Sequence, residues 1–344
     1  MDFRSDNTAG AAPEILEALG RANTGKTAAY GEDAFSREVE DRIADLFQRE
    51  ASVFLMATGT AANAVALAAM TPPWGAIFCH PQSHAHQDEC GAPEFYTGGA
   101  KLIPVPDREG KISIADIEAA WATLAHGVHN VQPAAISLSQ TAETGRVYTP
   151  DELADFAEFA HGRGLKLHVD GARFANALVH LACSPAQASW QASVDILCFG
   201  ASKNGAFAAE AIICFDPELA DTIAFRRKRG GHLFSKMRFI AAQFDGYLKD
   251  DLWLKNARHA NAMAQRLAAG LGDIAGAHLA YPTEANEVFA ALPPPVIAGL
   301  EAEGAQFYRW GGAESTTLRL VCAFDTTPDA VDAFLTSARN HGGG

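Results

Sequence analysis

Six short apolar runs alternate with segments of helical periodicity in the first two thirds of the chain. They are Ala76–His80, Lys101–Val105, Ala134–Ser139, Leu165–Asp170, Asp195–Phe199 and Ala211–Phe215. Strands that stay apolar on successive residues have no face for solvent, so they belong in a mostly parallel sheet covered by helices on both sides. The intervening segments suit that role. Ser36–Phe47 places Val39, Ile43, Leu46 and Phe47 on one helical face, and Ser113–Leu124 and Pro150–His161 lie between strands. The last begins Thr149-Pro150-Asp151-Glu152, which gives an N-cap, a first-turn proline and a capping-box glutamate, and Gly162 and Gly164 suit its exit. Ligands of such sheets bind beyond the carboxyl ends of the strands.

The texture changes after Tyr247. One long helical stretch carries Ala260, Met263, Ala264, Leu267 and Leu271 on a single face. Strand-like pieces around Ala313–Phe324 and a helix over Pro328–Ala338 follow. This pattern predicts a smaller α+β domain. No internal repeat is visible, and the closing Gly342-Gly343-Gly344 reads as a frayed end.

Composition excludes several classes of function. With 344 residues, 48% hydrophobic and 20% charged, the chain is an ordinary globular one. Apolar runs such as Ala64–Met70 are too short to span a membrane, and the first ten residues lack the marks of a signal peptide, so export is not expected. The net charge of −14 repels nucleic acid and acidic membranes, Arg226–Arg229 being the main basic exception. The six cysteines form no CxxC pair, and Cys79, Cys198 and Cys214 lie in strand-like runs. They read as reduced core residues of a cytoplasmic protein. No HExxH or comparable spacing points to a metal.

The chemistry lies at the strand ends. Leu165–Asp170 runs into Asp170-Gly171-Ala172-Arg173, and Asp195–Phe199 into Gly200-Ala201-Ser202-Lys203. A lysine after a buried strand, among small residues, loses hydration, which lowers its pKa and frees its amine to attack an aldehyde. Asp170 stands 33 residues before Lys203, one strand-helix-strand unit, so both reach one crevice. A carboxylate and a Schiff-base lysine on one cofactor is the pairing that pyridoxal 5'-phosphate (PLP) demands: the acid keeps the pyridine nitrogen protonated while the lysine carries the aldehyde carbon. Thr58-Gly59-Thr60, after the apolar run Val53–Met56 and before the helical Ala61–Met70, offers a helix N-terminus for the phosphate.

Further segments carry a resemblance. Ser5–Asn7, Ala29-Tyr30-Gly31, the TGTAAN run from Thr58, His84, the DECGAPEF run from Asp88, the HVDGARF run from His168 and the FGASKNG run from Phe199 occur in order over most of the chain. Together they are similar to the low-specificity L-threonine aldolases, PLP-dependent enzymes of fold type I. The resemblance implies a large domain with a seven-stranded sheet plus a small domain, in a homotetramer with active sites at subunit interfaces. On this chain that means an N-terminal arm over 1–14 contributing to the active site, a PLP-binding domain over 15–248 and a small domain over 249–344.

It further implies that Lys203 binds the cofactor aldehyde, Asp170 pairs with the ring nitrogen, His84 stacks on the ring, and Gly59 and Thr60 take the phosphate. Arg173 would contact the ring oxygen or the substrate carboxylate, which Ser5 and Arg319 would also bind. Tyr30 would reach the phosphate or substrate of a neighbouring subunit, and Lys228 or Arg229 would contact phosphate, with the alignment through Ser235–Arg238 left open. The chain departs from the family pattern in having no histidine over Gln140–Gly145, where many relatives carry one that positions the substrate hydroxyl. His84, or a water it holds, is then the expected base, with His86 as a possible substitute.

The reaction these expectations describe is retro-aldol cleavage of L-threonine, L-allo-threonine and related β-hydroxy-α-amino acids to glycine and an aldehyde. A preference for phenylserine, β-elimination or amino transfer on the same scaffold, and a non-catalytic cofactor-binding protein are the alternatives.

Overall fold

The computed structural model describes residues 1–124 and 127–342, so the last two glycines of the expected frayed end lie outside the described residues. Seven strands form the main sheet: β1 (Ser52–Met56), β2 (Gly75–Cys79), β3 (Lys101–Pro104), β4 (Gln132–Ser139), β5 (Lys166–Gly171), β6 (Ile196–Gly200) and β7 (Glu210–Cys214). Their order is β1-β7-β6-β5-β4-β2-β3. Strands β3, β2, β4, β5 and β6 pair in parallel, as the apolar runs require.

Two strands depart from the parallel pattern. β7 pairs antiparallel with β6, because the segment from Ala201 to Ala209 is too short for a crossover helix and turns the chain straight back. The Val53–Met56 run is itself a strand, β1, antiparallel to β7 at the sheet edge.

The ends of β4, β5 and β6 stand side by side, with Ser139 opposite Asp170 and Gly171 opposite Phe199. Two glycines permit this crowding. A Cβ on Gly171 would lie 2.6 Å from the Cys198 carbonyl oxygen, and one on Gly200 would lie 2.7 Å from Ala172 Cα. Any side chain there would push apart the two turns that carry Asp170 and Lys203.

Phe47, Phe174, Phe199, Phe244, Tyr247 and Trp253 pack one face of the sheet, and the helix Gly59–Met70 covers the other with Ala62, Val65 and Ala66. A second, antiparallel sheet of order β10-β11-β9-β8 is built from β8 (His278–Leu279), β9 (Glu287–Ala291), β10 (Tyr308–Arg309) and β11 (Thr317–Val321). Its own core joins Leu267, Leu271, Val288, Leu318, Leu320 and Phe334 to Phe3. Phe3 is laced to this sheet, its amide donating to the Gln306 carbonyl and its carbonyl accepting from Val321, each at 2.8 Å. That lacing brings residues Ser5 to Asn7 to the carboxyl edge of the main sheet.

Candidate active site

Lys203 sits in a single 3-10 turn, Ser202–Asn204, directly after β6. Burial depresses its pKa, and the charge of Arg173 adds to the effect, although Asp6, Asp170 and Glu287 oppose it. More of the amine is therefore neutral than on a solvated lysine. Asp170, at the end of β5, is 9% exposed. Its Oδ2 accepts Asn63 Nδ2 at 2.8 Å and its Oδ1 accepts the Ala172 amide at 3.0 Å, which aims the carboxylate into the cavity.

That cavity, of about 340 Å³, is lined by Lys203 and Asp170 together with Thr58, Gly59, Thr60 and His84. Thr58 caps the helix Gly59–Met70, its Oγ1 accepting the Ala61 amide at 3.2 Å. The first amides of a helix have no intrahelical acceptor, so Gly59 and Thr60 offer theirs to an anion.

A second cavity of about 220 Å³ adjoins the first across Asn7, His84, Asp170 and Lys203. Its walls include Ser5, Arg173, Arg319, Trp310, Thr141 and Glu143. The expected carboxylate binders are thus together, but each arginine already holds an acid that sequence reading did not single out. Arg173 bonds Asp6 through Nε and Nη2 at 2.7 and 2.9 Å, with Nη1 3.5 Å from Glu287. Arg319 bonds Glu287 Oε1 through Nε and Nη2 at 3.1 and 2.7 Å. Burial alone would push the Asp6 carboxyl up, but Arg173 and Lys203 hold it below the usual range. Burial would likewise lower Arg173, yet Asp6 and Glu287 hold its pKa above the ordinary value.

His84 begins the short helix His84–Gln87. Its Nδ1 lies 2.8 Å from Glu89 Oε1, a hydrogen bond that raises the imidazole pKa against its partial burial. Glu89 is 3% exposed and also accepts Asn63 Nδ2 at 2.9 Å. Asn63 therefore joins the two sides of the site, Asp170 on one hand and Glu89 with His84 on the other.

Not every expected residue reaches these cavities. Tyr30 is exposed, with Lys228 Nζ 4.2 Å from its ring centre, and neither lines them. Arg229 borders a separate groove with Phe95 and Phe225, and His86 lines neither cavity. No cluster of three potential metal ligands occurs among the described residues.

The donor set suits PLP. An amine of depressed pKa and a fixed carboxylate face one space, a helix N-terminus closes it, and at Gly59 nothing stands within 4 Å of where a side chain would begin. With the strand order, this defines a PLP-dependent enzyme of fold type I. The sequence matches the family model for beta-eliminating lyases over residues 2–293. It is 43% identical to a low specificity L-threonine aldolase of Pseudomonas aeruginosa, covering 96% of this chain and 95% of that one. It is 40% identical to the enzyme of the same description from a Pseudomonas species, covering 95% and 93%. The structure of a Leishmania major threonine aldolase superimposes with a TM-score of 0.90 at 30% identity, covering 98% of each chain. The chain thus belongs to the low-specificity L-threonine aldolase family, among the beta-eliminating lyases.

Proposed function

We propose that the protein cleaves L-threonine, L-allo-threonine and related β-hydroxy-α-amino acids to glycine and an aldehyde. The observation that carries this reading is the joining of two cavities, one built for PLP around Lys203 and Asp170, the other walled by Ser5, Arg173 and Arg319. The names of the Pseudomonas and Leishmania relatives support the same substrate class.

When bound, PLP supplies an aldehyde for the amino group and a sink for the electron pair released at Cα. The chain supplies the rest. Lys203, kept partly neutral by burial, provides the attacking amine. Asp170, held by Asn63 and the Ala172 amide, is placed to keep a ring nitrogen protonated. Gly59 and Thr60 bind the phosphate, and His84 covers the ring face. Glu287 takes the Nε–Nη2 edge of Arg319; Nη1, whose one recorded bond is a long one of 3.5 Å to the Arg4 carbonyl, keeps a donor for the substrate carboxylate beside Ser5. Arg173, bonded to Asp6 through Nε and Nη2 and with Nη1 3.5 Å from Glu287, serves as a fixed positive wall on the same side. Together these groups set the amino acid so that its Cα–Cβ bond is the one that breaks.

Trp310 on the wall of the second cavity favours acceptance of aromatic substrates such as phenylserine. β-Elimination and amino transfer rest only on the lysine and aspartate common to all such reactions, and the relatives do not favour them.

The proposal includes a homotetramer with active sites at subunit interfaces. Phe207, 71% exposed, lies on the rim of the cofactor cavity and borders an apolar surface with Phe234, Phe239 and Ile240. A second copy laid there would bring Tyr30 with Lys228, or Arg229, toward its neighbour's phosphate. It also includes the division into an arm over 1–14, a large domain over 15–248 and a small domain over 249–344; two cores favour a large and a small unit, with Trp253 and Ala257, past that boundary, packed in the core of the large one. No helix among the described residues is long and apolar enough to cross a membrane. The six unpaired cysteines support a cytoplasmic location.

A panel of L-threonine, L-allo-threonine and L-phenylserine, each with its D enantiomer, tests the reaction. Glycine plus aldehyde is expected from the L forms. Ammonia plus a keto acid would point to elimination, and a sound cofactor spectrum with no turnover would leave a binding protein.

A further inference from the structure

The Gln140–Gly145 segment leads away from β4, whose last residue, Ser139, pairs with Asp170. It holds no histidine, and the structure puts a carboxyl at the cavity there. The Glu143 side chain is 11% exposed and lines the second cavity with His84, Lys203 and Arg319. Its Oε1 accepts the Ser139 hydroxyl, and its Oε2 lies 3.5 Å from His80 Nδ1. Behind it, His80 is 4% exposed and its Nε2 lies 3.7 Å from Asp107, whose side chain is 28% exposed. A line of titratable groups thus runs from the cavity toward the surface.

The other buried acids of this cavity are committed. Asp170 is held by Asn63 and Ala172, and Glu287 neutralises Arg319. Among the described residues, no lysine or arginine bonds Glu143; its partners are the Ser139 hydroxyl, its own backbone amide and, at 3.5 Å, the His80 imidazole. Burial raises its pKa, opposed chiefly by His80, so its carboxylate is a stronger base than a solvated one. His84 differs in place: its Nδ1 is tied to Glu89, and it borders the cofactor cavity as well as the second one, which suits it to covering the ring.

We infer that Glu143 is the base that removes the β-hydroxyl proton of the substrate, an inference that rests on the aldol-cleavage reading above. In the step, the hydroxyl O–H bond breaks and its proton passes to the Glu143 carboxylate. The aldehyde C=O forms as the Cα–Cβ bond breaks, and the electron pair left on Cα is taken up by the bound cofactor. Cα then takes a proton from solvent, which yields glycine, and Glu143 gives the proton it took back to solvent, so one proton is removed and one returned. Ser139 holds the carboxylate in place.

The test uses Glu143→Gln, which keeps the size of the side chain and its bond to Ser139, in the PLP-loaded enzyme. Three quantities are measured: kcat for L-threonine and L-allo-threonine, the exchange of the glycine α-hydrogen with deuterated solvent, and the visible spectral change on adding glycine. Glycine has no β-hydroxyl, so its reactions do not need this base. The expected result is a kcat lowered by roughly 100-fold or more, the usual scale of a lost general base, with glycine exchange and the glycine spectrum within about twofold. Glu143→Asp should recover part of the cleavage. A variant that cleaves threonine within about threefold of the parent overturns the assignment. Equal losses of cleavage and of glycine exchange overturn it too, since they mark a structural role. Failure of the aldol reading itself is distinguishable, because the unmutated enzyme would then cleave none of these substrates.

Discussion

At Arg319 the proposed site makes two demands of one guanidinium, to neutralise the buried Glu287 and still offer donors to an incoming carboxylate. The planar fork makes this feasible, with one edge committed at 2.7 and 3.1 Å and the Nη1 end bonded only at 3.5 Å, to the Arg4 carbonyl. A lysine keeps the charge but cannot serve both. Arg319→Lys should therefore raise KM for L-threonine roughly 10- to 100-fold, the equivalent of a charge-assisted bond of about 1.5–3 kcal/mol, while the visible spectrum of bound cofactor stays as in the parent. A steady-state titration checks it, and an unchanged KM would remove Arg319 from substrate binding. Asp170, Lys203 and the Thr58–Thr60 turn were legible because each follows an apolar run, and local order alone marks a strand end. Asp6, Glu287 and Glu143 were not. Their significance arises from contacts such as Arg173 with Asp6 and Arg319 with Glu287, which join residues far apart in the chain. Asn63 did leave a trace, as the single polar side chain within the apolar Ala61–Met70 run.

At the scale of elements, β5 links the stability of the sheet to the site it carries. His168, two residues before Asp170, is fully buried. Its Nδ1 lies 2.9 Å from Ser137 Oγ and its Nε2 3.3 Å from Cys198 Sγ, so β4 and β6 grip it from both sides. Burial pushes its pKa down from 6.5 to about 4. The folded chain thus binds fewer protons than the unfolded one between these values, and stability rises with pH in that window. The contribution is fully present above about pH 6.5 and lost as pH drops through about 4, on the order of 3 kcal/mol. Urea unfolding at pH 7 and pH 5 should show the parent losing more stability than His168→Gln; equal losses would refute the argument. The strands of this sheet were readable from apolar runs because both faces are covered. The antiparallel direction of β7 was readable too, from the short Ala201–Ala209 connection, but only once connection length is weighed against apolar pattern. β1 was marked only as the apolar run Val53–Met56 and is a five-residue strand at the sheet edge.

For the whole molecule, the N-terminal arm and the exposed apolar rim govern how the site is completed. The arm is tied to the small sheet at Phe3 and delivers Asp6 to Arg173, so closing the site depends on both cores at once. On the outer side, Phe207 and Phe234 stand exposed beside the cofactor cavity. Phe234→Glu, outside that cavity, should shift the light-scattering mass from the proposed tetramer toward smaller species; an unchanged mass would place the subunit contact elsewhere. Sequence reasoning reached the two-domain plan from the change of pattern after Tyr247, yet could not say which surfaces face a second copy, since exposure exists only in the folded chain.

Everything proposed for this site depends on Lys203 being the residue that holds the cofactor. Borohydride reduction of the PLP-loaded protein, followed by mass spectrometry of its peptides, tests this directly. The cofactor should be found fixed to Lys203, with Lys203→Ala unlabelled and lacking the visible absorbance of lysine-bound cofactor. Labelling of another lysine, or a Lys203→Ala protein with full absorbance and turnover, would contradict it.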